Sequence, residues 1–334
     1  MSAETAPEAT TGRFSVPWLS VPKLSLPKLS LGRESPAAVI SPNVTATEVA
    51  VAEVATPATS TVVAVPTKKA VAKAPRKRGS KVETILKVEG LTKLFDEKIA
   101  VNAIDLEVKA GSFYGIVGPN GAGKTTTLSM ITGLLRPTAG KVNVHGADVW
   151  SDPVAAKRNM GVLPDRLRLF DRLTGAQLLY YAGVLRGMDG ATVRTRAADL
   201  AHVFGLEESL PRLVSDYSAG MTKKVALAAA MIHSPRMLVL DEPFESVDPV
   251  SAATVTEILK SYVASGGTVL LSSHSMDLVQ RICDFVAVVV DGSLLADGTM
   301  DSVRNGGTLE ERFIELAGGQ RQVEGLEWLS SFSD

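Results

Sequence analysis

The sequence predicts an α/β domain in which a mostly parallel sheet is covered on both faces. From about residue 83 onward, strand-length apolar runs alternate with helical patterns, which is typical of parallel strands joined by helices. One of these runs, at 113–117, leads directly into a glycine-rich loop. Asp291-Gly292 follows the run at 285–290 and is a two-residue hairpin signal.

The other elements follow from local patterns. Apolar and polar residues nearly alternate at 84–88 and 104–108, which predicts two half-buried strands. A helix over 126–134 is expected after the glycine-rich loop. Thr174 and Gln177 form a capping box, so another helix is expected to follow Thr174. Further strands are expected at the apolar runs 237–240 and 268–271.

Composition excludes several classes of protein. The 334 residues carry a formal net charge of −1, whereas domains that attract nucleic acid through bulk charge are strongly basic, so no nucleic-acid partner is expected. The single cysteine, Cys283, excludes an internal disulfide framework and fits a reducing compartment. No apolar run approaches the roughly 18 residues of a membrane span, and the beginning of the chain lacks a secretory pattern. We therefore expect a cytosolic chain.

The first 82 residues differ in character from the rest. They are rich in Ala, Pro, Ser, Thr and Val, and their 11 Lys or Arg against 5 Glu give a net charge of +6, compared with −7 for the remainder. Residues 15–29 hold a five-residue repeat with one proline in each unit, which prevents a regular helix. We predict that 1–82 is a disordered basic arm. Its basic stretch at 68–78 is more typical of a solvated linker than of a membrane-surface anchor, and the repeat is a docking candidate without an identified partner.

The strongest motif is a phosphate-binding loop. The pattern G-x-x-x-x-G-K-[ST] lies between a predicted strand and a predicted helix, where its chemistry requires it. Glycines let consecutive N–H groups turn toward one centre, and the helix N-terminus adds partial positive charge. Lys124 is expected to reach the β- and γ-phosphates, and the Thr125 hydroxyl to ligate Mg²⁺. The nucleotide-binding candidates here are Gly118, Pro119, Asn120, Gly121, Ala122, Gly123, Lys124, Thr125 and Thr126.

Two adjacent carboxylates follow the apolar run at 237–240. A strand that ends in a carboxylate places Asp241 at the carboxyl edge of the sheet, beside the phosphate loop, where it is expected to hold Mg²⁺ through water. Glu242 is then positioned to polarise a water for in-line attack on a γ-phosphate. A solvated turn is the competing interpretation, and the phosphate loop argues against it.

Together with further segments, these motifs resemble the nucleotide-binding subunit of ATP-binding cassette (ABC) transporters over about 82–319. Residues 217–221, Tyr-Ser-Ala-Gly-Met, resemble the signature segment of that family, and residues 245–248 resemble its D-loop. The segment 270–274 resembles the strand that ends in the switch histidine, here His274. Phe95 stands where an aromatic residue stacks on adenine, and Asp165 occupies the Q-loop position.

The resemblance implies a fold and a chemistry. The implied fold is a P-loop NTPase core with a mostly parallel sheet, an N-terminal antiparallel β subdomain and an inserted helical signature subdomain. The implied boundaries are an ABC ATPase domain at 83–319, with the helical subdomain at about 166–233, and a tail at 320–334. ATP and Mg²⁺ are the implied ligands. The implied catalytic residues are Lys124, Glu242 and His274, and the implied metal-binding residues are Thr125, Asp241 and Asp165.

Two partners are also implied. Cassettes of this family pack head to tail, so Ser218, Ala219 and Gly220 of one subunit are expected to contact the γ-phosphate held by a second ABC ATPase subunit. A separate transmembrane permease is expected to dock on the helical subdomain and to hold the chain at the cytoplasmic side of the membrane. Segments 160–186 and 309–316 resemble the export-type (ABC-2-like) branch, which favours export over import.

Two positions depart from the family pattern. Ala219 replaces a glycine, and if that position required a positive φ, the added Cβ would cost about 1–2 kcal/mol. Asp165 replaces a glutamine and cannot donate the hydrogen bond that an amide donates. These departures keep open a regulatory cassette with weak turnover, and a soluble non-transport ABC ATPase is the other alternative. The presence of Glu242 and His274 favours an active enzyme.

Overall fold

The computed structural model describes residues 83–318, and the predictions for 1–82 and 320–334 lie outside this range. An antiparallel sheet is formed by β1 (Thr84–Phe95), β2 (Lys98–Lys109), β4 (Ala139–Val144) and β5 (Ala147–Asp148). Its strand order is β2-β1-β4-β5, and every pair in it is antiparallel.

The second sheet has six strands and is mostly parallel. It consists of β3 (Phe113–Val117), β6 (Met160–Leu163), β7 (Met237–Leu240), β8 (Thr268–Ser273), β9 (Phe285–Val290) and β10 (Ser293–Thr299). The order is β10-β9-β3-β8-β7-β6, and only β10 runs antiparallel to its neighbour. Because β3, β7 and β8 run side by side in the same direction, the segments that follow them meet at one edge of the sheet.

The helices connect and cover these strands. The bounds of the α-helices are α1 (Lys124–Ile131), α2 (Pro153–Arg158), α3 (Gly175–Leu185), α4 (Gly190–Phe204), α5 (Ala219–Met231), α6 (Pro249–Ala264), α7 (Met276–Ile282), α8 (Met300–Arg304) and α9 (Leu309–Leu316). Two 3₁₀ turns, Glu207–Ser209 and Val214–Asp216, lie between α4 and α5. Within this part of the chain, no helix combines the length and the apolar character of a membrane span.

Side-chain alternation along β3 divides the interior into two cores. Tyr114 and Ile116 belong to a cluster shared with the antiparallel sheet and α1, whereas Phe113 and Val117 face a cluster built with α3, α4, α5 and α6. Both faces of the mostly parallel sheet are therefore covered, which confirms the predicted α/β fold class.

Several local predictions are confirmed and one is corrected. The capping box of Thr174 and Gln177 starts α3, and Asp291-Gly292 forms the turn between β9 and β10 with φ values of 46° and 76°. The helix after the phosphate loop was expected over 126–134 but spans Lys124–Ile131. It ends early because the chain enters the left-handed region at Gly133, where φ is 69°.

Candidate nucleotide-binding and catalytic site

The phosphate loop joins the buried strand β3 to α1, as its motif predicts. Gly121 and Gly123 have φ values of 84° and 99°, which favour glycine because a Cβ would be strained there. At Gly123 an added Cβ would also lie 2.6 Å from the carbonyl oxygen of Ala100. The loop is thus shaped by backbone conformations that the glycines of the motif supply.

Lys124, the first residue of α1, is folded over the loop. Its Nζ donates to the carbonyl oxygens of Gly118 at 2.8 Å and Pro119 at 3.2 Å. The side chain is only 6% exposed, and Nζ lies 3.6 Å from Oε1 of Glu242. The lysine ammonium therefore lies between the phosphate loop and the carboxylate that follows β7.

Asp241 follows β7 and is held by two hydroxyl groups. The hydroxyl of Ser272, a fully buried residue of β8, donates to Oδ1 of Asp241 at 2.5 Å. Burial raises the pKa of the Asp241 carboxyl above its ordinary value, and the hydroxyls of Ser272 and Thr125 oppose that shift. Thr125 and Asp241 thus bring a hydroxyl and a carboxylate together at the edge of the sheet.

Glu242 adopts an uncommon backbone conformation. Its φ is 46°, in the left-handed region, which costs a residue with a Cβ about 1–3 kcal/mol. Its N–H donates to Oγ of Ser272 at 3.0 Å, and its carboxylate is 11% exposed. Oε2 lies 3.0 Å from Nδ1 of His274. The contacts around Glu242 fix the direction in which its carboxylate points.

One cleft of about 550 Å³ collects most of the predicted site residues. Its lining includes Phe95, Asn120, Gly121, Gly123, Lys124, Thr125, Thr126, Asp165, Glu242 and His274. Phe95 is 46% exposed, and Nζ of Lys93 lies 5.0 Å from its ring centroid. An aromatic face, a phosphate loop and two catalytic candidates therefore share one concave surface. Gly118, Pro119, Ala122 and Asp241 shape the neighbouring loop and strand end but are not part of this lining.

The cleft also contains residues that the motifs did not identify. These are Lys98, Ile99, Ala100, Glu245, Asp291 and Gly292. Glu245 stands in the predicted D-loop and Asp291 in the predicted hairpin, so their positions were predicted but their place in the cleft was not. Lys98, Ile99 and Ala100 begin β2 of the antiparallel sheet, and no local signal in the sequence links them to the phosphate loop.

The signature segment caps α5 and lies outside the cleft lining. Oγ of Ser218 accepts from the N–H of Met221 at 3.3 Å, so Ser218 is the N-cap. Ser218 and Ala219 are exposed, whereas Gly220 is buried. Ala219 is the first residue of the helix and does not have a positive φ. The strain considered for this alanine is therefore absent, because a helical backbone accommodates a Cβ.

The remaining histidines have partners elsewhere. His145 lies 3.2 Å from Glu83, and His202 lies 2.8 Å from Glu207. His233 contacts the carbonyl oxygen of Met160 at 3.1 Å, and burial lowers its pKa to about 4. Of the four histidines in the sequence, His274 is the one that lines the cleft.

The chain is similar to proteins of one known family. The family model described as ABC transporter matches residues 101–245. The daunorubicin/doxorubicin resistance ATP-binding protein DrrA of Streptomyces peucetius is 37% identical over 246 residues, which is 74% of this chain and 74% of the relative. The linearmycin resistance ATP-binding protein LnrL of Bacillus subtilis is 33% identical over 215 residues, which is 64% of this chain and 69% of that relative.

A solved structure is similar as well. The ATP-binding subunit of an ABC transporter matches with a TM-score of 0.66 and 29% identity, covering 70% of this chain and 100% of that one. The fold, the motifs and the relatives lead to the same assignment. The chain belongs to the ABC transporter family, among the ATP-binding proteins of its export-type branch.

Proposed function

We propose that this chain binds ATP with Mg²⁺, hydrolyses it, and thereby powers export of a substrate through a separate membrane subunit. The observation that carries the proposal is the group formed by Lys124, Glu242 and His274 beside the phosphate loop. Nζ of Lys124 lies 3.6 Å and Nδ1 of His274 lies 3.0 Å from the carboxylate of Glu242. A nearly buried carboxylate held next to a phosphate cradle is what a water-activating base requires.

The residues around Asp241 fit a magnesium ion. Mg²⁺ prefers oxygen ligands and usually keeps several waters, so it needs few protein groups. The Thr125 hydroxyl and the Asp241 carboxylate supply two such groups, and Asp165 supplies a third oxygen donor at the cleft wall. When bound, the ion neutralises charge on the β- and γ-phosphate oxygens. Lys124 adds a positive charge that can leave the loop carbonyls for those phosphates.

The roles of the other residues follow from their positions. Glu242 is proposed to orient and polarise the attacking water, and His274 to contact the γ-phosphate while holding the Glu242 carboxylate. Phe95 is proposed to stack on adenine, since its half-exposed ring lines the same cleft as the phosphate loop. The glycines and N–H groups of the phosphate loop bind the triphosphate.

We propose that a second copy or a related cassette completes the site. The exposed N-terminus of α5, with Ser218 as its cap, is an anion-binding element that lies outside the cleft of its own chain. Two cassettes in head-to-tail arrangement would place this helix end on the partner's triphosphate. ATP would then hold the dimer closed, and its hydrolysis would open it.

A transmembrane permease is the proposed third component, and it would place this chain at the cytoplasmic side of the membrane. A second cavity of about 230 Å³ shares Thr125 and Asp165 with the nucleotide cleft and is also lined by Leu134, Val162 and Pro164. Leu134 is 65% exposed, which is high for a large apolar side chain. We propose that a helix of the permease docks there, because Asp165 borders both this cavity and the nucleotide cleft. No nucleic-acid partner is proposed.

The alternatives lose support. The matching family model is that of ABC transporters, and the matching solved structure is an ATP-binding subunit of such a transporter, which argues against a soluble non-transport ATPase. The regulatory cassette with weak turnover rested on Ala219 and Asp165, and the helical conformation of Ala219 removes the first of these reasons. The names of both relatives refer to resistance, so we propose a small toxic molecule as the exported cargo.

The test compares ATP turnover of the full chain with that of Glu242→Gln, using Glu257→Gln as a charge-matched control. Glu257 is an exposed residue of α6 and pairs with Lys260 at 3.1 Å. We expect Glu242→Gln to lower kcat by at least about a hundredfold with nucleotide binding retained, and the control to be unchanged. Equal turnover in Glu242→Gln and wild type would refute the catalytic assignment. Copurification with a multi-span membrane subunit tests the transport role.

A further inference from the structure

Lys223 connects α5 to the catalytic carboxylate of its own chain. It lies in the second turn of the helix, and its Nζ donates to the backbone carbonyl oxygen of Glu242 at 2.6 Å. The N–H of Glu245 donates to the same oxygen at 3.2 Å. Neither the signature motif nor the pair of acidic residues predicts this contact, because 19 residues separate the two partners.

The contact acts at a residue whose backbone conformation is unfavourable. Glu242 has a φ of 46°, so the peptide groups on its two sides must be held for its carboxylate to keep its direction. Ser272 holds the N–H at 3.0 Å, and Lys223 holds the carbonyl oxygen. Without the lysine, the N–H of Glu245 would be the only hydrogen-bond donor to this carbonyl oxygen within residues 83–318.

The same helix presents the signature segment at its N-terminus, one turn before Lys223. Lys223 is five residues from the N-cap Ser218, which corresponds to about 7.5 Å along an α-helix. Val225, Leu227 and Ala228 are buried and anchor the following part of α5 in the core, whereas Ser218 and Lys223 lie at its N-terminal end. A displacement of its N-terminus therefore changes the position of the Lys223 amine relative to Glu242.

We infer that Lys223 is a positioning residue that couples the two ATP sites of a dimer: when the N-terminus of α5 binds the partner's triphosphate, Lys223 sets the orientation of Glu242 in its own site. The inference rests on the proposed function, since it needs a partner site across the interface. One helix then contacts two sites, one through Ser218 and the other through Lys223.

The surroundings of Lys223 suit this role. Burial lowers the pKa of its amine, while the carboxylates of Glu245, Asp165, Glu242 and Asp241 oppose that shift. The amine thus interacts with four acids around this edge of the sheet, and one of them, Glu242, also lies near Lys124. A hydrogen bond from a charged donor to a carbonyl is stronger than a neutral one, which makes it suited to hold a strained peptide.

The test measures ATP turnover, ATP cooperativity and nucleotide affinity in the full chain for wild type, Lys223→Met, Lys223→Arg and Lys260→Met. Lys260 is an exposed lysine of α6 that pairs with Glu257 on its own helix, so Lys260→Met removes the same charge elsewhere. We expect wild type to turn over ATP with positive cooperativity. Lys223→Met should lower kcat about tenfold and remove the cooperativity, with nucleotide affinity within about twofold. Lys223→Arg should restore both, since a guanidinium also donates to a carbonyl.

Each other outcome overturns the inference. If Lys223→Met keeps the kcat and cooperativity of wild type, or if Lys260→Met loses as much as Lys223→Met does, Lys223 has no specific role. If Lys223→Met is slower but fully cooperative, Lys223 does not couple the two sites. If Lys223→Met does not fold, Lys223→Gln is measured instead, and full cooperativity there refutes the inference. Active wild type with an unaffected Lys223 variant refutes only this inference, whereas inactive wild type refutes the proposed function and the inference with it.

Discussion

Ser272 contacts both acidic residues that follow β7, so its removal should lower the stability of the folded protein. Its hydroxyl donates to Oδ1 of Asp241 and accepts from the N–H of Glu242, and the residue is fully buried. Ser272→Ala leaves a buried carboxylate and a buried N–H each without this partner. An unsatisfied buried group costs about 1–3 kcal/mol, so we expect an unfolding free energy lower by about 2–6 kcal/mol for the pair.

The destabilisation should depend on pH in a defined direction. The pKa of Asp241 is already raised by burial, and the Ser272 hydroxyl opposes that rise, so its removal raises the pKa further. A carboxyl with a raised folded-state pKa favours the folded state at low pH and loses that contribution as pH rises through the folded pKa. The difference between wild type and Ser272→Ala should therefore be largest near neutral pH and shrink as pH falls.

Chemical unfolding at several pH values, with ATP turnover measured on the same samples, tests this prediction. Ser273→Ala is the matched control, because Ser273 is the next residue of β8 and its Oγ accepts from Ser275 instead of contacting Asp241. We expect the pH dependence of stability in Ser273→Ala to follow wild type. If Ser272→Ala lowers the unfolding free energy by the same amount at acid and at neutral pH, the Ser272 hydroxyl does not stabilise the ionised form of Asp241, and the reasoning is refuted.

Three further predictions concern the cleft and the lone thiol. Gly123→Ala should raise the Kd for a fluorescent ATP analogue at least about tenfold, because its Cβ would lie 2.6 Å from the carbonyl oxygen of Ala100. The added Cβ of Gly121→Ala would meet open space, so this variant should bind the analogue better than Gly123→Ala. Phe95→Ala should weaken the same binding about three- to tenfold, and Phe95→Tyr should retain it. Burial raises the pKa of the Cys283 thiol, so maleimide labelling near pH 8 should require denaturant, and rapid labelling of folded protein would contradict this.

The parts of the site that the sequence predicts are those encoded locally. The phosphate loop is a single segment whose glycines set the backbone, and the strand before it is a continuous buried run. The position of Asp241 follows from strand direction alone, because neighbouring parallel strands deliver their ends to one edge. The capping box of α3 is also local, because its two residues, Thr174 and Gln177, are three positions apart.

The parts that escape sequence reasoning depend on packing between distant segments. Lys98 reaches the cleft because the antiparallel sheet packs on the parallel one, and Asp291 reaches it through the β9–β10 turn. Ala219 shows the opposite difficulty. Alanine in place of the glycine of the motif would be strained only at a positive φ, and the sequence does not specify the φ of Ala219, which is helical.

Glu242 shows why a catalytic candidate named from sequence comes without its backbone and side-chain geometry. Its left-handed backbone is unfavourable in isolation and persists only where the surroundings fix it. Its N–H is bound by Ser272, its carbonyl by Lys223, and its carboxylate by His274. These three partners come from β8, α5 and the segment after β8, so no single window of sequence contains them. Since each one restrains a different group of Glu242, loss of any one should misdirect the carboxylate although the other two contacts remain.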